Sequence, residues 1–63
     1  MDIVAIRLRT LREKIGMSQA KLAKEIGVTQ ASVNRYETAR VTPPAEVLLF
    51  YADRFDVSLD YIF

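Results

Sequence analysis

The sequence predicts an all-α fold, a compact five-helix domain without strands. Apolar residues recur at helical spacing along most of the chain, residues that favour helix N-caps precede the periodic stretches, and both glycines fall where a stretch stops. At 63 residues there is room for one domain, taken here as residues 1–63. Only about 60% of the unfolded surface of such a chain is buried, so each inward apolar residue matters.

In the first stretch Val4, Leu8, Leu11 and Ile15 form one helical stripe, with Asp2 placed to cap its start and Gly16 to end it. Ser18 caps the next helix, Gln19 to Ile26, which sets Leu22, Ala23 and Ile26 on one face before Gly27 stops it. Thr29 caps the third, Gln30 to Glu37. There Val33 and Tyr36 point inward while Gln30, Ala31, Ser32, Asn34 and Arg35 face other directions.

A loop from Thr38 to Pro43 follows. Because a residue before proline avoids helical dihedrals, the fourth helix is expected to begin with Pro44 as its first helical residue. Val47, Leu48, Tyr51, Ala52 and Phe55 make its buried stripe, Asp56 ends it, and Ser58 caps a last turn through Leu59, Tyr61 and Ile62.

Composition narrows the function. The chain has neither Cys nor His, so disulfides, thiolate zinc sites and the commonest general base are missing, and no cofactor or metal is expected. Asp53, Asp56 and Asp60 lack the spacing of a calcium loop, and no activated nucleophile is visible; an enzyme is disfavoured. Charges interrupt every apolar run, and Asp2, Arg7, Arg9 and Arg12 break up the start of the chain, unlike a signal peptide. The expectation is a cytoplasmic protein without a membrane partner or an inferred small-molecule ligand.

Net charge is only +1, yet residues 1–42 hold eight basic against four acidic residues, while residues 43–63 hold one against four. A basic portion beside an acidic one suits docking of one face on a polyanion, although solvated helix faces produce similar imbalances.

The second and third helices are joined only by Gly27, Val28 and Thr29, too few residues for antiparallel packing, so the pair must cross steeply as a helix-turn-helix unit over about residues 18–37. Ala23 is small enough for close approach one turn before the bend, and Gly27 tolerates the positive φ required there.

In order and spacing, Leu8, Leu11, Arg12, Gly16, Ser18-Gln19, Leu22-Ala23, Gly27-Val28-Thr29, Val33, Tyr36-Glu37, Pro43, Leu48, Ala52, Val57 and Ser58 make the chain resemble the phage-repressor and Cro class of helix-turn-helix regulators, the XRE-like family. The resemblance spans nearly the whole chain. It implies a sequence-specific regulator of transcription, usually a homodimeric repressor, that binds double-stranded DNA with the third helix in the major groove.

On that reading Gln30 pairs with an adenine edge, Arg35 with guanine, Ala31 meets a thymine methyl group, and Ser32 adds a less specific polar contact. Ser18, Gln19, Thr29, Asn34 and Arg40 are the candidates for phosphate contact. The resemblance also implies a structural ion pair between Arg12 and Glu37.

Plainer readings stand beside these. Gln30, Ser32 and Asn34 also suit a merely solvated helix face, and Lys21 with Glu25 and Arg9 with Glu13 have the spacing of surface pairs. Arg35 lacks any acid at i±3 or i±4. Ala39 stands where the family usually has Gly, which puts the end of the third helix and the placement of Arg40 in question. Ile3, Ile6, Phe50, Tyr61 and Phe63 are candidates for an apolar patch, naturally a dimer interface. A module that keeps this scaffold but binds a protein partner, such as a toxin or an antagonist, is the alternative from another class.

Overall fold

A computed structural model describes residues 2–63, so residue 1 of the expected 1–63 domain lies outside the described residues. Five helices follow one another: α1 (Ile3–Lys14), α2 (Gln19–Ile26), α3 (Gln30–Glu37), α4 (Ala45–Arg54) and α5 (Leu59–Ile62). No strand occurs among the described residues.

Four helices begin on a capping side chain. Asp2 Oδ1 accepts from the amides of Val4 and Ala5, at 2.9 and 3.2 Å. Ser18, Thr29 and Ser58 each accept from the amide three residues on, satisfying donors that the helix itself leaves unpaired. Pro44 is the exception. Contrary to the expectation, it precedes α4 rather than joining it: its ψ of 157° is extended, and its carbonyl accepts from Val47 and Leu48, which makes Ala45 the first helical residue.

The C-terminal ends of α1 to α4 share one solution, a residue with positive φ that turns the chain back so that the next amide reaches a carbonyl five residues earlier. Gly16, Gly27, Ala39 and Asp56 supply it, with φ of 70°, 90°, 62° and 53°. The closing bonds run from Met17 to Arg12, Val28 to Ala23, Arg40 to Arg35 and Val57 to Ala52. A Cβ on Gly16 or Gly27 would meet nothing within 4 Å, so glycine is favoured there by backbone conformation rather than by space. Ala39 thus makes the same left-handed reversal as the glycines, and the different ending expected from its side chain does not arise.

Each helix contributes one side chain with no solvent exposure to a common centre: Leu8, Leu22, Val33, Tyr51 and Ile62. Ala23 is buried beside the α2–α3 turn, where a larger residue would hold the helices apart. The inner stripe of α1 differs from the expected one. Ala5 joins Leu8 and Leu11 in the core, Val4 is half-buried, and Ile15 is 52% exposed, because the chain reverses at Gly16 and carries Met17 inward instead. Ala52 in α4 and Phe55 just after it are half-buried at the margin rather than inside.

Glu25 accepts from Arg54 Nε on α4 at 2.8 Å instead of pairing with Lys21, so this contact ties two helices together where an i,i+4 pair would brace only one. The Arg54 hydrogen bond holds the Glu25 carboxyl below the usual glutamate range. Its contribution to stability is therefore present above the ordinary value and fades as pH falls through the lowered one. Arg9 and Glu13 do form an exposed pair within α1.

Ala39 carries a Cβ in a conformation that costs an L residue roughly 1–2 kcal/mol. Replacing it with glycine relieves that strain but increases the freedom of the unfolded chain. Ala39→Gly should therefore raise the stability measured by urea unfolding by about 0.5–1 kcal/mol; a loss would show that the alanine side chain stabilises the turn.

Candidate nucleic-acid interface

The α3 helix divides into two faces. Val33 and Tyr36 pack into the core, which sends Gln30, Ala31, Asn34 and Arg35 to solvent. The i,i+4 relation makes two adjacent rows of these, Gln30 with Asn34 and Ala31 with Arg35, a narrow ridge carrying amide, methyl and guanidinium groups. No carboxylate occurs from Val28 to Asn34.

Ser32, at the flank, is half-buried, and its hydroxyl shares a 3.0 Å hydrogen bond with that of Thr29. Both hydroxyls are therefore partly committed to the start of α3. Among the described residues Arg35 and Arg40 have no ion-pair partner, and both are exposed. Arg40 follows the reversal at Ala39, so its amide closes α3 while its side chain stays at the surface.

Behind the ridge, Glu37 is the last residue of α3, and its side chain is only 1% exposed. Arg12 meets it with a two-pronged grip: Nε donates to Oε2 at 2.8 Å and Nη2 to Oε1 at 2.9 Å. Nη1 of the same guanidinium donates to the Met17 carbonyl at 2.7 Å. One side chain thus joins α1, the loop before α2, and the end of α3. Hydrogen bonding to Glu37 raises the Arg12 pKa above the ordinary arginine value against the opposing effect of burial.

Gln19, the expected phosphate contact at the start of α2, also makes a hydrogen bond within the protein. It is half-buried at the first position of α2, and its Nε2 donates inward to Glu37 Oε1 at 3.0 Å. The Ser18 hydroxyl is occupied by the Lys21 amide. Arg9, Arg12, Gln19, Asn34, Glu37 and Thr38 line a polar cleft of about 160 Å³ that opens beside the α3 ridge. Sequence spacing offers no signal for the link between Gln19 and Glu37, which lie 18 positions apart on different helices.

Tyr51, on α4, has a buried polar atom: its hydroxyl has no hydrogen-bond partner among the described residues, and burial pushes its pKa upward. It is enclosed too completely to take part in surface recognition.

Of the candidate apolar patch, Ile3, Ile6, Tyr61 and Phe63 are exposed on α1 and at the C-terminal turn. Arg7 joins these elements, donating to the Tyr61 carbonyl at 2.7 Å with its guanidinium carbon 5.6 Å from the Tyr61 ring centre. Phe50 does not belong with them. It is half-buried against the core and lines a different groove with Ile26, Gly27, Val28, Glu46 and Val47, because its place on α4 directs it toward the α2–α3 turn.

Comparison with known proteins places this geometry. The helix-turn-helix family model matches residues 8–62. The HTH-type transcriptional regulator YobD of Bacillus subtilis is 39% identical over 56 residues, covering 89% of this chain and 50% of that protein. The cryptic phage CTXphi transcriptional repressor RstR of Vibrio cholerae is 37% identical over 54 residues, 86% of this chain and 48% of its own. The chain therefore spans about half the length of these two relatives.

Among solved structures, the c2 repressor of Salmonella phage P22 in complex with a synthetic operator superposes with a TM-score of 0.88 at 28% identity, over 100% of this chain and 96% of that one.

The buried grip on Glu37 has a direct energetic consequence. Glu37→Ala should cost about 3–5 kcal/mol in denaturant unfolding, since it strands the Arg12 charge, whereas replacing both partners together, Arg12→Met with Glu37→Met, should cost far less. Equal losses in the two variants would contradict the assignment of the cost to a stranded charge.

Proposed function

The chain belongs to the helix-turn-helix family, and we propose that it is the DNA-binding domain of a transcriptional repressor that recognises specific duplex sequences as a homodimer. The observation that carries the reading is the exposed, acid-free ridge of Gln30, Ala31, Asn34 and Arg35 on a helix fixed from behind by Val33, Tyr36 and Glu37. Its likeness to a repressor in complex with a synthetic operator supports DNA binding, and the docking of helix-turn-helix units in general puts α3 in the major groove.

In this account Arg35 reads guanine through two hydrogen bonds, Gln30 reads adenine, and Ala31 packs on a thymine methyl group, with Ser32 at the flank. Gln19, Asn34 and Arg40 touch the backbone; Ser18 and Thr29 act there through the amides of the helices they cap. The family is one of DNA-binding regulators, not of enzymes. No helix among the described residues is long and apolar enough to cross a membrane, and we place the protein's work in the cytoplasm, where it meets DNA.

Size supports the dimer. The domain measures 25 × 23 × 21 Å, while successive half-sites on one face of a duplex lie about 34 Å apart, so reading both takes two copies. Ile3, Ile6, Tyr61 and Phe63 supply apolar surface that a second copy can cover. That surface also supports a second reading, a partner-binding role on the same scaffold.

Fluorescence anisotropy titrations against selected duplexes at several salt concentrations test the proposal. Arg35→Ala should lose about 1–3 kcal/mol of discrimination at one base position, while Arg40→Ala should weaken all sequences alike and reduce the salt slope by about one. Binding that ignores both salt and sequence would refute the function, and identical effects of the two substitutions would refute the division of roles.

A further inference from the structure

We propose that Glu37 is a positioning residue for DNA backbone recognition: its buried carboxylate holds the Gln19 amide in the orientation from which that amide meets a phosphate oxygen. This rests on the DNA-binding reading above.

The geometry begins at the carboxylate. Glu37 Oε1 accepts from both Arg12 Nη2, at 2.9 Å, and Gln19 Nε2, at 3.0 Å, while Oε2 takes Arg12 Nε. Since the Glu37 side chain is 1% exposed and gripped at both oxygens, it is a fixed reference rather than a mobile surface group. A glutamine on a helix surface normally samples several rotamers; here one amide hydrogen is anchored.

A side-chain amide has two hydrogens, so anchoring one leaves the other available. Gln19 also lines the polar cleft between α1, α2 and α3, along with Arg9, Arg12, Asn34 and Thr38. Arg12 has spent three of its five N–H groups on Glu37 and Met17, which leaves two. Donors therefore outnumber the protein acceptors around the cleft, a composition suited to an anionic oxygen. The same ion pair that closes α3 orients the first side chain of α2, so the base-reading helix and the backbone contact share one reference point.

Two measurements test this. In the native chain free of DNA, NMR exchange of the Gln19 side-chain amide should be about tenfold slower than that of Gln30, an exposed glutamine that serves as an internal reference. Equal rates would overturn the proposal whether or not the protein binds DNA. In a selected duplex, Gln19→Ala should weaken native binding about tenfold, yet change affinity by less than about threefold when made in the Arg12→Met/Glu37→Met background. The same loss in both backgrounds, or none in the native one, would show that Glu37 does not act through Gln19. Should the double-methionine background fail to fold, the exchange comparison and the Gln19→Ala loss in the native chain decide together: equal exchange rates, or no loss, overturn the proposal.

Discussion

The buried contact between Arg12 and Glu37 is the constraint on which the arrangement depends. Val33 at the middle of α3 and Tyr36 one residue before its end anchor the helix by apolar contact, which resists lifting but does not set one angle. The two-pronged guanidinium contact fixes that end, and the third bond to Met17 fixes the loop that carries α2. Burial makes the contact costly to break from one side, yet it need not add net stability compared with an apolar pair. Its value lies in direction: apolar packing permits sliding, whereas paired hydrogen bonds do not.

Charge is arranged around the same contact. Glu37 is the only acid of the third helix, and Arg12 neutralises it behind the ridge while Gln19 adds a hydrogen bond. The carboxylates of residues 43–63 lie in a different part of the chain from Arg35 and Arg40. Thus a nearly neutral protein still carries an α3 ridge without an exposed acid, and for binding a polyanion the local field outweighs total charge.

Much of the fold was legible because local signals agree. Asp2, Ser18, Thr29 and Ser58 are caps by chemistry and occupy cap positions, and the bounds of α2 and α3 follow from them together with Gly27 and the inward pair Val33 and Tyr36. Where the structure departs from the sequence reading, a nonlocal choice decided. Periodicity alone places Ile15 inside, but the reversal at Gly16 brings Met17 there instead. Ala39 adopts positive φ because the packed helices on either side demand a sharp turn that alanine's own preference does not announce, whereas Asp56, the expected end of the fourth helix, is of a type that tolerates the conformation.

The site divides in the same way. Exposure of Gln30, Ala31, Asn34 and Arg35 follows from which α3 residues are apolar, a pattern visible in sequence. The partners of Glu25 and Gln19 do not follow, since Arg54 and Glu37 lie on other helices and only the packed fold brings them near. Phe50 shows the limit of reading an apolar residue as part of a patch: its neighbours depend on helix orientation, which spacing does not encode.

The central claim, that the α3 ridge reads duplex bases in a major groove, is tested most directly by selecting bound sequences from a random duplex library with the native chain and with Arg35→Ala. The native chain should select a two-fold symmetric consensus with half-sites about 34 Å apart, in which the variant loses preference at one position of each half-site. Recovery of no consensus, or of one that Arg35→Ala leaves unchanged at every position, would contradict it.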